Sequence, residues 1–157
     1  MKKPFYLSLA VMIGGVFLAS LSMAKDPKVI PPEMTGEWKG EAKSIMTWTK
    51  TKKIKVTLQI SEDGSVHGNV GDAKLVKGQF KKNRGAIGKK LNIKTDYIIR
   101  GELQGAILKS EGISRKQISI PLNYKEGVFT GGFATNGKKF GDKKTGILSA
   151  SNLTVKK

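Results

Sequence analysis

Residues 53–60 read KIKVTLQI. Ile54, Val56, Leu58 and Ile60 share one parity, and Lys53, Lys55, Thr57 and Gln59 share the other. Side chains along a β-strand point alternately to opposite faces. The octapeptide therefore reads as a strand with one face in an apolar core and one face in water. It runs into Glu62-Asp63-Gly64, a hairpin signal, because Asp and Gly tolerate positive φ. Val66, Gly68 and Val70 resume the alternation, and Gly71-Asp72 turns the chain again into a strand over 73–80.

The same period extends in both directions, and no segment of the chain after residue 33 reads as a helix. Downstream, Tyr97, Ile99, Gly101 and Leu103 alternate, and Gly105 and Glu111-Gly112 punctuate an expected return strand. Residues 115–124 (RKQISIPLNY) place Ile118, Ile120, Leu122 and Tyr124 on one side. A turn at 125–127 leads to a strand over 128–135, a basic glycine-rich loop follows at 136–146, and 147–155 forms the last strand. Upstream, MTGEWKGEAK (34–43) opens the first strand, with Trp38, Gly40, Ala42, Ser44, Met46 and Trp48 on one parity. Eight or nine short strands with close turns predict an all-β fold, a single antiparallel meander barrel spanning residues 34–157. A lipid-embedded barrel is excluded, since it needs an apolar outer band with aromatic girdles. Here the second face is rich in lysine and aromatics make up 7% of the chain.

The first 24 residues read as a cleavable bacterial export signal: Lys2 and Lys3, an uncharged apolar run over 5–19, then the small residues of Ser22-Met23-Ala24. Residues 25–33 (KDPKVIPPE) form a polar leader in which Pro31 and Pro32 exclude helix and central strand, so it is expected to lie extended on the surface. Export to the periplasm or the extracellular space follows as the expected localisation. The chain has no cysteine, so an exported domain of this length holds itself together by packing alone. With 29 Lys and Arg against 12 Asp and Glu, the formal charge is +17. Such an excess steers anionic partners toward a surface, or serves only solubility, and is silent about fold.

Gly36-Glu37-Trp38 at the head of the first strand of a meander resembles the Gly-x-Trp signature of the calycins, which include lipocalins and avidins. Asp63-Gly64-Ser65-Val66-His67-Gly68 is similar to the early hairpin of avidin-type barrels. The resemblance implies a barrel with an internal cavity, or an inhibitor-like binding protein. In lipocalins a basic side chain from the last strand stacks on that tryptophan; Lys156 or Lys157 could take that place here. Biotin-type pockets need further tryptophans, and this chain has only Trp38 and Trp48.

Enzymatic chemistry finds little footing. His67 is the only histidine and alternates away from Val66 and Val70, toward solvent. Carboxylates are few and scattered, so neither a metal site nor a catalytic triad assembles, and no cofactor is expected. The chain reads instead as a non-enzymatic binding protein. One reading takes a small apolar or amphipathic ligand inside the barrel, with Trp48, Met46, Tyr97, Tyr124, Phe129 and Phe133 as lining. The motive is the small-residue stripe of the first strand. The other docks on anionic envelope glycan or lipid through basic loops. Between Asp72 and Asp96 stand eight basic residues and no acid, among them Lys81, Lys82, Arg84, Lys89, Lys90 and Lys94, and a second group follows at Lys138, Lys139, Lys143 and Lys144. Residues 81–94 carry no aromatic to stack a base, which argues against nucleic acid. Inhibition of an extracellular enzyme is a further alternative, resting on the barrel analogy.

Overall fold

The octapeptide at 53–60 is strand β2 (Lys53–Ile60) to the residue, and its parity decides its burial. Ile54, Val56, Leu58 and Ile60 are buried, while Lys53, Lys55 and Gln59 are exposed. The computed structural model describes residues 29–83, 95–136 and 146–157. Its other strands are β1 (Gly36–Ser44), β3 (Ser65–Val70), β4 (Ala73–Lys82), β5 (Tyr97–Gln104), β6 (Gln117–Lys125), β7 (Val128–Thr135) and β8 (Ser149–Lys156). Each strand pairs antiparallel with the next, and β1 pairs with β8, so the sheet closes into an eight-stranded meander barrel. Closure leaves no unpaired edge among the described strands.

Two rims follow from this topology. At one, β1 begins, β2 and β4 end, and β5 begins; Trp38 stands just inside it. At the other, β1 ends, β2 begins, and the β3–β4 turn and the β5–β6 connection lie; Lys53 marks it. The core fills the space between them. Leu58, Leu75, Ile99, Ile120, Leu122, Leu153 and Val155, from five different strands, have no accessible surface at all, so no water-sized space lies beside them. Apolar inside and polar outside is the reverse of a lipid-embedded barrel.

The sequence-based expectations need three corrections. The first strand does not reach Trp48: it stops at Ser44, whose hydroxyl bonds that of Thr49 at 2.8 Å and turns the chain back toward β2. The return strand expected after Gly105 is a single bridge, Ala106 to Ser114, around a 3-10 turn at Lys109–Glu111. The leader is not simply extended either. Pro32–Met34 forms a 3-10 turn with proline at its start, where a first helical turn makes no use of the missing N–H. Ile30 before that turn and Met34 at its end are buried, and the Ile30 N–H donates to the Glu62 carbonyl at 3.0 Å. The segment 1–24, expected to be an export signal, and residues 25–28 lie outside the described residues.

This turn explains the position of Trp38. Its indole N–H donates to the Met34 carbonyl at 3.1 Å, and the Lys157 ammonium sits 5.4 Å from its ring centroid. Lys157 also reaches the Pro32 carbonyl at 3.4 Å. The tryptophan thus ties leader, first strand and last strand together at one rim.

Gly40, a member of the small-residue stripe of the first strand, serves closure of the barrel. A Cβ there would fall on the carbonyl of Thr154 in the neighbouring strand β8. The glycine admits β8 to β1 where the barrel closes, next to a bulge between Glu41 and Lys43.

Candidate functional site: barrel interior and basic surface

The six residues read as ligand lining divide between the two rims. Tyr97 at the start of β5, Tyr124 near the end of β6 and Phe129 at the start of β7 meet at the Trp38 rim. Phe129 is the hub: its ring centroid lies 4.5 Å from Trp38, 5.0 Å from Tyr124 and 5.7 Å from Phe80, and Phe80 stacks on Tyr97 at 5.0 Å. Trp38 and Phe129 have no accessible surface. Such edge and stacked pairs each add about 0.5–1.5 kcal/mol beyond simple burial. These rings are committed to one another.

Met46, Trp48 and Phe133 belong to the Lys53 rim. Met46 is buried in the β1–β2 connection, where its carbonyl accepts from the Thr49 hydroxyl at 2.9 Å and the Lys52 ammonium at 2.7 Å. Phe133 is buried opposite Ala150 of β8. Trp48 is half-buried, and its indole N–H has no hydrogen-bond partner among the described residues. Arg115 stands over its ring, with the guanidinium carbon 5.8 Å from the centroid. Arg115 is itself buried and donates to the Gly146 carbonyl; burial pushes its pKa below the ordinary guanidinium value. Between the two groups lie the core layers that hold no water-sized space, so the six do not surround one cavity.

Of the basic residues singled out from sequence, Lys81 and Lys82 are exposed at the end of β4. Arg84, Lys89, Lys90, Lys94, Lys138, Lys139, Lys143 and Lys144 lie outside the described residues. Their flanks are informative. Lys82 and Tyr97, which bracket the first group, pair at the Trp38 rim, whereas Thr135 and Ser149, which bracket the second, stand at the Lys53 rim.

A basic patch that sequence reasoning passed over is fully described, around the β1–β2 connection. Lys43 lies directly opposite Lys53 and Glu41 opposite Lys55, with Lys50 and Lys52 in the connection itself. The signal was the run TKTKKIK at 49–55; of its lysines, Lys53 and Lys55 were absorbed into the polar parity of β2. A cleft of about 400 Å³ opens beside them, lined by Thr51, Lys53, Lys55, Asp72, Lys109 and Ser110 over Ile54, Gly71, Ile107 and Leu108. Two other clefts carry more balanced charge. One, about 470 Å³ at the Trp38 rim, sets Lys81 against Glu62 and Asp63. The other, about 290 Å³, holds Lys77 and Arg100 with Glu102, and Lys77 pairs with Glu102 at 3.1 Å.

His67 is exposed on β3, and no group of three or more metal-ligating side chains occurs among the described residues. No helix among them is long and apolar enough to cross a membrane. Fold and surface together define an eight-stranded antiparallel barrel with a tightly packed apolar core and a basic exterior. The chain matches no family model, and comparison with curated proteins and with solved structures finds no similar one.

Proposed function

We propose that the protein is an exported, non-enzymatic binding protein, a calycin-like barrel of bacterial origin that docks on anionic envelope glycan through its outer basic surface. One observation carries this reading. The barrel interior is spent on packing, down to side chains with no accessible surface, while every lysine among the described residues is exposed. Anionic polymer is the partner such a surface concentrates outside the cytoplasm. The test is retention of residues 25–157 on immobilised dextran sulfate across a salt gradient. Retention should be strong at low salt and lost toward ~0.5 M NaCl, because exposed charges are screened within ~10 Å already at 0.1 M. Retention that ignores salt overturns the electrostatic account.

A second reading, a small apolar or amphipathic ligand held at the Lys53 rim, is favoured by the unpartnered indole N–H of Trp48. A buried donor without an acceptor costs about 1–3 kcal/mol, which a ligand oxygen would recover. Native mass spectrometry of the protein from its own envelope fraction decides it. A bound mass lost on unfolding supports this reading, and a clean apo mass removes it.

A further inference from the structure

We infer that the cleft beside the β1–β2 connection is a binding site for a phosphorylated sugar unit. The inference rests on the docking reading above and names the site and ligand chemistry within it.

Three lysines, Lys53, Lys55 and Lys109, line the cleft, from two elements far apart in sequence. Three lysine side chains around one depression, long enough to turn their ammonium groups onto a ligand, are matched by a phosphate, which offers several acceptor oxygens and up to two charges. The local charge is not balanced away. Lys53 meets Glu41 only at 3.5 Å, with both side chains half or more exposed, and Lys43 stands directly opposite Lys53. Like charges facing across a strand pair are destabilising, and here the arrangement persists.

The remaining polar groups suit hydroxyls better than a bare anion. Among the described residues Asp72 is the only carboxylate in the cleft lining, and one of its oxygens accepts the Lys109 backbone N–H at 3.1 Å. A carboxylate repels phosphate but accepts from sugar hydroxyls, and Thr51 and Ser110 add hydroxyl groups of their own. Ligand sites commonly measure ~300–1,000 Å³, and the cleft sits at the lower part of that range, in scale with one or two sugar rings.

The frame is also rigid. The Gly71 N–H donates to the Lys55 carbonyl at 2.7 Å, and the Asp72 N–H donates to the Ile107 carbonyl at 2.9 Å. Gly71 adopts φ +59°, and a Cβ there would run into the Ile107 carbonyl. The β3–β4 turn and the β5–β6 connection are therefore clamped together, so the lysine-bearing walls are held in place before a ligand arrives, which lowers the cost of binding.

The experiment is calorimetric titration of residues 25–157 with glucose 6-phosphate, glucose and inorganic phosphate at low salt. Saturable binding of glucose 6-phosphate is expected, with inorganic phosphate about tenfold weaker for want of the sugar hydroxyl contacts, and glucose weaker still for want of the charge-assisted ones. The K53Q/K55Q/K109Q variant should lose the sugar phosphate, while K81Q/K82Q at the other rim should keep it. Equal affinity for inorganic phosphate, or undiminished binding by the triple variant, overturns the proposal. So does binding to phosphatidylglycerol vesicles that the triple variant loses while its glucose 6-phosphate affinity stays intact; that outcome assigns the cleft to lipid. If glucose 6-phosphate fails to bind while dextran sulfate still retains the protein, the cleft proposal falls and the docking reading stands. If dextran sulfate does not retain it either, the docking reading falls. A urea midpoint for each variant shows that the substituted protein is folded.

Discussion

Trp38 shows how far one residue can be read. Gly36-Glu37-Trp38 marks the head of a barrel strand, and a lysine near 156–157 reads as the cation for its ring; Lys157 is found there. The acceptor for the indole N–H was not readable, because it is a backbone carbonyl presented by a 3-10 turn that opens with proline. Two prolines argue against a helix when taken as a pair, yet one at the first position of a short turn is favoured. Trp38→Phe keeps the aromatic contact with Phe129 but loses the bond to Met34. It should cost about 2–3 kcal/mol in urea denaturation, from the lost bond and the space left behind. Lys157→Ala should cost less, about 0.5–1 kcal/mol for an exposed cation over a ring. In the Trp38→Phe background that smaller loss should shrink, which a double-substitution cycle measures. Independent losses would mean that the ammonium gains nothing from the indole ring.

At the scale of elements, period-two patterning located all eight strands, and it failed where the chain leaves the sheet. Met46 and Trp48 keep the parity of β1 and are at least partly buried, but Ser44 and Thr49 bond to each other and end the strand before them. Parity reports burial, and a folded-back connection can bury the same residues as a strand. The β2–β3 hairpin was legible because its turn chemistry is local. The Asp63 carboxylate accepts the Ser65 backbone N–H at 2.8 Å, and chiefly this bond, with a further one from the Ser65 hydroxyl, holds its pKa below the ordinary 3.8. A carboxyl depressed in the folded state stabilises fully above its unfolded value and loses that contribution as pH falls through the folded one. Asp63→Asn should therefore lower the urea midpoint at pH 7 and converge with the parent protein below pH ~3. Parallel curves from pH 7 to 2 would show that the bond does not depend on charge. The leader makes the complementary case, because Ile30 reads as part of a polar tail and is buried instead. Ile30→Ala should cost about 2 kcal/mol in the same assay, the lower end of such truncations because the site lies at the rim. A change within about 0.5 kcal/mol, the usual effect of a surface substitution, would return the leader to the surface.

For the whole molecule, the strand count and the apolar interior follow from turn spacing and parity, whereas closure, which rests on the β1–β8 pairing, and the filling of the interior do not. Gly40 and Ala42 leave space in a one-dimensional reading, but closure brings the β8 backbone against Gly40, and only three-dimensional register reveals it. The distribution of charge was half legible for the same reason: lysines at 43, 53, 55 and 109 are scattered in sequence and gathered by the Lys53 rim. A surface made basic for solubility alone would gain nothing from facing Lys43 with Lys53, since net charge serves that purpose wherever its members sit. The two explanations therefore part over one substitution. Lys43→Gln removes the facing charge and should stabilise the barrel by about 0.2–0.5 kcal/mol, the scale of a cross-strand pair. If the patch binds anions, the same variant should elute from dextran sulfate at lower salt than Lys125→Gln, which removes an equal charge from the Trp38 rim beside Glu126. A stability gain with identical elution of the two variants would make the lysines interchangeable, and the high charge would then act through its sum alone.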